Sequence, residues 1–342
     1  MIVGLGAAFA CVALAASAGC SGTQDAPRHR TVDVGFYAFF DPVSRSADPE
    51  FGTVGFDTHV GYEADLLSAV EAMPGVGLSF ERRGIGSWEG IWLEPATEDT
   101  DLAAGGITIL ESRTLDTAGD TVVAFTDGHI EFRQSLLVRA DDAQRLPDHA
   151  SLTGSDIVGA LPNTTGEARL LQLIGVSDAM GGLSGGTRVH TPAGEVVVPF
   201  DGALTITAAG ASAELAHRVR LVPADPDLPQ VLYMGDEDGA PVGEAALLSA
   251  LSEGRVDAVA RGAVGNAQIA AASNGEFAVT AFDKQVERGG FAVDAGDTDL
   301  LDRMNTALAW LTDHCSIGFA HWLADPEIFM TRAAQWPPNT PV

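Results

Sequence analysis

Arg113, the segment Gly106-Ile-Thr108 and the segment Thr164-Thr165-Gly166 have the most chemistry to offer in this sequence. A guanidinium binds a carboxylate through two parallel hydrogen bonds, which fix its orientation as well as neutralise its charge. Thr108 supplies a hydroxyl, and the backbone N–H of Gly106 a further donor. Thr164, Thr165 and the N–H of Gly166 precede a predicted helix, and a helix N-terminus favours an anion. Each of these groups suits a small carboxylate or another anion. The plainer alternative for Arg113 is a surface arginine paired with a neighbouring acid.

Other constellations are weaker. Gly182-Leu-Ser184-Gly-Gly186 matches G-x-S-x-G with His190 close by, but a nucleophile elbow needs a strand before it and a helix after it. Here a glycine-rich loop is followed by a β-like run. His314, Cys315 and His321 lack closed zinc spacing. Gly235-Asp-Glu-Asp-Gly239 lacks the ligand periodicity of a calcium loop and reads as a solvated turn. No catalytic residue, metal or cofactor is therefore expected.

The composition narrows the partners. The 342 residues carry 47 Asp+Glu against 19 Lys+Arg, a net charge of −28, and Lys284 is the only lysine. Such a surface repels nucleic acid and anionic lipid. At 46% hydrophobic residues the chain is not disordered, and its length suits about two domains.

Positioning the candidate residues requires an ordered series of elements. Met1 to Gly19 carries no charge, and its apolar run Ile2–Ala16 ends in Ser17-Ala18-Gly19-Cys20. That reads as a secretion signal, too short to span a membrane. The small residues before Cys20 resemble the bacterial lipoprotein cleavage box, with Ser17 where Leu is usual. Cys20 would then take the lipid, and 20–30 would be a tether. Cys315 is expected to be a small buried apolar residue. Strands are predicted at 31–37, 76–81, 102–104, 121–125, 135–139, 156–160, 256–260, 277–282 and 290–293. Helices are predicted at 61–73, 167–174, 244–253, 265–273, 297–313 and 317–323, with Leu66, Leu67, Val70 and Met73 on one face of the first. Between Val176 and Tyr233 the pattern breaks into a loop, a hairpin around Pro192-Ala-Gly194, and Arg220-Leu-Val-Pro223 returning to the main sheet.

Several segments together resemble a known family. Gly61-Tyr-Glu-Ala-Asp-Leu-Leu, Gly106-Ile-Thr-Ile-Leu-Glu-Ser-Arg113, Val122-Val-Ala-Phe-Thr-Asp127, Leu136-Leu-Val-Arg139, Val158-Gly-Ala-Leu-Pro-Asn-Thr-Thr-Gly166, Glu253-Gly-Arg-Val-Asp-Ala-Val259 and the helix from Asp297 follow in order. They resemble the polar amino acid substrate-binding proteins of ABC transporters, solute-binding family 3, over Thr31 to about Ala324.

The resemblance implies an α/β, two-lobe periplasmic-binding-protein-like fold (type II) with two crossing hinge strands. Lobe 1 would comprise 31–132 and 288–330, and lobe 2 136–284 with an insertion at about 176–233, followed by a tail at 331–342. It implies that Arg113 holds the solute's α-carboxylate and that Phe40 and Trp88 lie over the solute. Gly262 stands where the family usually has an ammonium-binding acid, and Tyr37 where some members carry an Asp. With Arg261 nearby, the solute is expected to be an acidic amino acid or a small carboxylate. The expected role is capture for an ABC permease, outside the cytoplasm, on a lipid anchor and without catalysis. A ligand-sensing or partner-binding lipoprotein and a cyclohexadienyl-dehydratase-like enzyme are the alternatives.

Overall fold

The computed structural model describes residues 28–201, 203–234 and 244–337. The signal segment, Cys20, most of the tether, the acidic turn Gly235–Gly239 and residues 338–342 lie outside the described residues. Two sheets organise the rest.

The first sheet has five strands, in the order Leu78–Ile85, Arg30–Tyr37, Leu102–Ala104, Ala292–Asp294, Val123–Phe125. The first three run parallel, and Ala292–Asp294 pairs antiparallel with both of its neighbours. Helix α1 (Tyr62–Ala72) covers this sheet. Its apolar stripe forms because Leu66, Leu67 and Val70 share one face, and all three are fully buried. Helix α5 (Thr298–Leu311) and the short α6 (Phe319–Ala324) and α7 (Ile328–Ala333) pack on the same core. Trp336 is also buried there, donating to Pro74 O at 3.0 Å, so the start of the expected tail is part of the fold.

The second sheet has eight strands, in the order Gly194–Val197, Arg188–Thr191, Arg220–Val222, Gln230–Tyr233, Ile157–Ala160, Ala258–Gly262, Gln134–Arg139, Phe277–Thr280. Helices α2 (Thr165–Leu173), α3 (Glu244–Ser252) and α4 (Ala263–Ala272) accompany it. Segment 176–233 supplies the four strands at one end. Its hairpin Arg188–Thr191/Gly194–Val197 is antiparallel and bonds to Arg220–Val222, as the turn residues predict. The same segment holds a second, smaller hairpin, Ile206–Thr207 against Gly210–Ala211, which carried no recognisable pattern.

The sheets have separate cores. Between them, Ile130–Phe132 pairs antiparallel with Glu287–Gly289. These crossing strands lead out of and back into the five-stranded sheet, so the molecule has two lobes. One local expectation fails: Cys315 is exposed, with φ at +71°, and donates its Sγ–H to Gly128 O at 3.0 Å. It ends a run, Asp313-His314-Cys315, in the left-handed region just past α5. A residue there turns outward instead of continuing the buried stripe.

Candidate ligand-binding site

A cavity of about 90 Å³ lies between the lobes. Tyr37, Phe40, Trp88, Gly106, Thr108 and Phe132 line it together with Gln134, Leu161, Thr164, Thr165, Gly166, Ala260, Arg261 and Gly262. The structure thus brings Phe40, Trp88, Gly106, Thr108, Thr164, Thr165, Gly166 and Arg261 together. Arg113 does not line the cavity. Phe132, Gln134 and Leu161 were missed by sequence reasoning. Phe132 and Gln134 fall at the first crossing between lobes, and that placement was their only available signal.

The floor is built by backbone strain and a buried acid. Gly105 and Gly106 have φ of +145° and +67°, where side chains are rarely accommodated. A Cβ on Gly106 would stand 2.5 Å from the Phe40 ring. Glu63 Oε2, on α1, accepts from Gly105 N–H at 2.7 Å, and both its oxygens accept from Gly106 N–H at 3.1 Å. The expected role of the Gly106 N–H as a solute donor is therefore corrected, because that donor serves Glu63. Burial raises the Glu63 carboxyl to about 8 despite these N–H donors. His129 Nε2 lies 3.5 Å away, and burial holds His129 down to about 3.

The second lobe supplies the N-terminus of α2. Thr164 is its N-cap: the hydroxyl oxygen accepts from Glu167 N–H at 3.2 Å, and the hydroxyl donates to Leu161 O at 2.8 Å. Thr164 thus closes the helix end rather than presenting a free donor. Thr165 Oγ1 accepts from Gln134 Nε2 at 3.0 Å. Gln134 Nε2 also reaches Glu287 Oε2 at 2.8 Å, one layer behind the cavity wall. The acid of the first turn, Glu167, is fully buried and bonds Arg218 of the inserted segment at 2.6 Å. Burial alone would weaken the Arg218 charge, but Glu167 more than offsets it and raises the Arg218 pKa.

Arg261 is nearly buried and is the one charged side chain among the described lining residues. Gly265, on α4, makes room for it: a Cβ there would lie 2.5 Å from Arg261 Nη2. Gly262, at the expected ammonium-binding position, lines the cavity with no carboxylate to offer.

Arg113 is fully buried beside the cleft. Its Nε and Nη2 donate to Ala208 O at 3.2 and 2.9 Å, and Nη1 donates to Thr108 O at 3.2 Å. The guanidinium lies 4.4 Å from the Trp92 ring centre and 5.3 Å from that of Trp88. Burial lowers its pKa to about 9, with Glu287 opposing the shift. The expectation that Arg113 faces the solute is corrected: a carbonyl of the inserted segment meets it. Trp88 belongs to both cavity and core, packing edge-on against Tyr37 at 5.3 Å and Trp92 at 6.1 Å.

The loop Gly182–Gly186 forms bridges and turns, with no strand-to-helix elbow, and Ser184 Oγ donates to Gly175 O at 3.4 Å. Among the described residues no cluster of His, Cys, Asp and Glu is placed to hold a metal, and no helix is long and apolar enough to cross a membrane.

Solved structures with the same architecture include amino-acid-binding proteins. An ancestral arginine-binding protein bound to arginine aligns over 90% of this chain and 97% of its own, at 20% identity and a TM-score of 0.52. A Streptococcus pneumoniae ABC uptake transporter substrate-binding protein with bound histidine aligns over 90% and 92%, at 15% identity and 0.54. An ancestral amino acid-binding protein described as a precursor of cyclohexadienyl dehydratase aligns over 90% and 95%, at 18% and 0.51. At these identities they speak for the fold alone, the type II periplasmic-binding-protein fold. No curated protein sequence matches. The sequence pattern of the bacterial extracellular solute-binding proteins, family 3, matches residues 43–317. With that match spanning most of the chain and a cleft between two hinged lobes, this protein belongs to the bacterial extracellular solute-binding proteins of family 3.

Proposed function

We propose that this protein captures a small carboxylate, such as an acidic amino acid, between two closing lobes and delivers it to an ABC permease. The observation that carries the reading is a guanidinium in the cleft: in a chain of net charge −28, Arg261 is the charged side chain among the described lining residues. A guanidinium binds a carboxylate through two parallel hydrogen bonds. Aromatic Phe40, Trp88 and Tyr37 shield that contact from water. Gly262, at the position where the resemblance expects an ammonium-binding acid, offers no side chain to an ammonium group.

In this reading lobe 1 comprises 31–132 and 288–330, and lobe 2 comprises 136–284. Residues 1–19 act as an export signal, and a lipid on Cys20 anchors the protein outside the cytoplasm. A sensing lipoprotein that does not transport is the second reading. It is favoured by Ala208, which takes the place at Arg113 that the resemblance reserves for a solute.

Thermal stabilisation tests the first reading, since a ligand selective for the folded state raises the melting temperature. Acidic amino acids and dicarboxylates are expected to raise it and arginine and lysine to leave it unchanged. Arg261→Gln is expected to abolish the shift in a variant that retains its circular dichroism spectrum. Stabilisation by arginine or lysine alone would refute the assignment.

A further inference from the structure

The contact between Arg113 and Ala208 crosses the cleft. Arg113 follows the first lobe's Gly106–Thr108 segment, and Ala208 is at the tip of the small hairpin Ile206–Thr207/Gly210–Ala211. The base of that hairpin is fastened to the second lobe. Ile206 is fully buried in that lobe's core, and its N–H donates to Gly181 O at 2.9 Å. Ser212 N–H closes on Thr205 O at 3.0 Å. The tip leans the other way: Ala209 packs against the first lobe's cluster around Tyr37, Ile91 and Trp92.

One oxygen of the chain therefore takes both donors on one edge of a buried guanidinium, as a carboxylate oxygen would. Three more bonds cross in parallel. Trp88 Nε1 donates to Asn163 O at 3.1 Å, Asn163 Nδ2 donates to Glu89 Oε1 at 2.9 Å, and Gln268 Nε2 donates to Asp41 Oδ2 at 3.2 Å. In two-lobe binding proteins closure occurs around a ligand, whose contacts with both lobes favour the closed state. Here a segment of the chain makes such contacts itself.

We propose that the 206–211 hairpin is a built-in ligand surrogate, which holds the two lobes closed through Ala208 and Arg113 when no solute is bound. The proposal rests on the two-lobe architecture and not on the identity of the solute. It assigns the inserted segment a function: the closed form becomes the resting form, and a solute entering the cavity finds it already shaped.

Small-angle X-ray scattering of the solute-free protein tests this. The informative variant is Ala209→Asp. It sets a charge against the first lobe's cluster around Tyr37, Ile91 and Trp92 and keeps Ile206 in its own core. Arg113→Met is the second variant. It removes the hydrogen bonds and keeps a long side chain beside Trp88 and Trp92. The wild type is expected to scatter as the closed arrangement, and each variant that retains its circular dichroism spectrum as a wider particle. A solute-free wild type that already scatters as an open particle would overturn the proposal. So would folded variants as compact as the wild type. No solute enters this experiment, so its failure leaves the Arg261 reading standing, and failure of the thermal-shift screen leaves this proposal standing.

Discussion

At the residue scale, charge inside the cleft depends on glycines as much as on arginines. Gly265 leaves the space that Arg261 Nη2 occupies, and the Cβ that Gly265→Ala adds would meet the movable end of that side chain. Gly265→Ala is therefore expected to weaken carboxylate binding while changing the melting temperature little, as ligand titration and calorimetry would show. Glu63 works from behind the cleft, holding the Gly105 and Gly106 N–H groups. Its folded carboxyl is raised from an ordinary 4.5 to about 8, chiefly by burial. The unfolded chain therefore gives up this proton at lower pH than the folded protein does. Glu63 favours folding fully below about pH 4.5, and that advantage is lost as pH rises towards 8. Only above about pH 7.5 are His59, His129 and His149, all lowered chiefly by burial, largely neutral in both states, so that they add little opposing slope. Stability is expected to fall there by at most roughly 1.4 kcal/mol per pH unit, the one-proton slope, and by about half of that near pH 8. Denaturation of Glu63→Gln at the same pH values should lack that slope, and an unchanged slope would assign it to another group.

At the element scale, the N-terminus of α2 joins the cleft to the inserted segment. Thr164 caps the helix, so Thr164→Ala is expected to cost about 1 kcal/mol in chemical denaturation. The heavier dependence lies one turn in. Arg218 pairs with fully buried Glu167 through Nε at 2.7 Å and Nη2 at 2.6 Å, and Nη2 also donates to Asn163 Oδ1 at 3.1 Å. Arg218→Ala would leave Glu167 charged, buried and without its partner, a loss of about 3–5 kcal/mol. It should also loosen Asn163, whose carbonyl and amide reach Trp88 and Glu89 across the cleft. Urea titration would measure the first effect. Quenching of tryptophan emission, compared with Arg218→Ala/Glu167→Leu, would separate the second from simple loss of charge balance.

At the scale of the whole molecule, the net charge is −28, with Arg261 the charged side chain among the described cleft residues. Self-repulsion of so many carboxylates works against the compact state. Raising NaCl to about 1 M shortens the screening length to about 3 Å, so the melting temperature is expected to rise across that range. The Arg261 contact is buried, and solute affinity should fall less with salt than long-range attraction would require. A melting temperature that falls with salt would show that attractive surface pairs, such as Arg145 with Asp142 and Arg255 with Glu253, outweigh the repulsion.

The order of strands and helices was legible in the sequence because each element is set by local periodicity and punctuation. Leu66, Leu67 and Val70 mark a helix face wherever the helix lies, and Pro74-Gly75 ends it. The ordered motifs likewise placed Phe40, Trp88, Thr108, Thr165 and Arg261 around one cleft. What each group does there was not legible, because a donor is used up by whichever acceptor the fold brings within reach. Gly106 N–H is taken by Glu63, 43 residues away, and Arg113 by Ala208, 95 residues away. Ala208 lies in a segment of small residues with no pattern to read. Only the packing of its hairpin across the cleft gave its carbonyl the place expected of a solute.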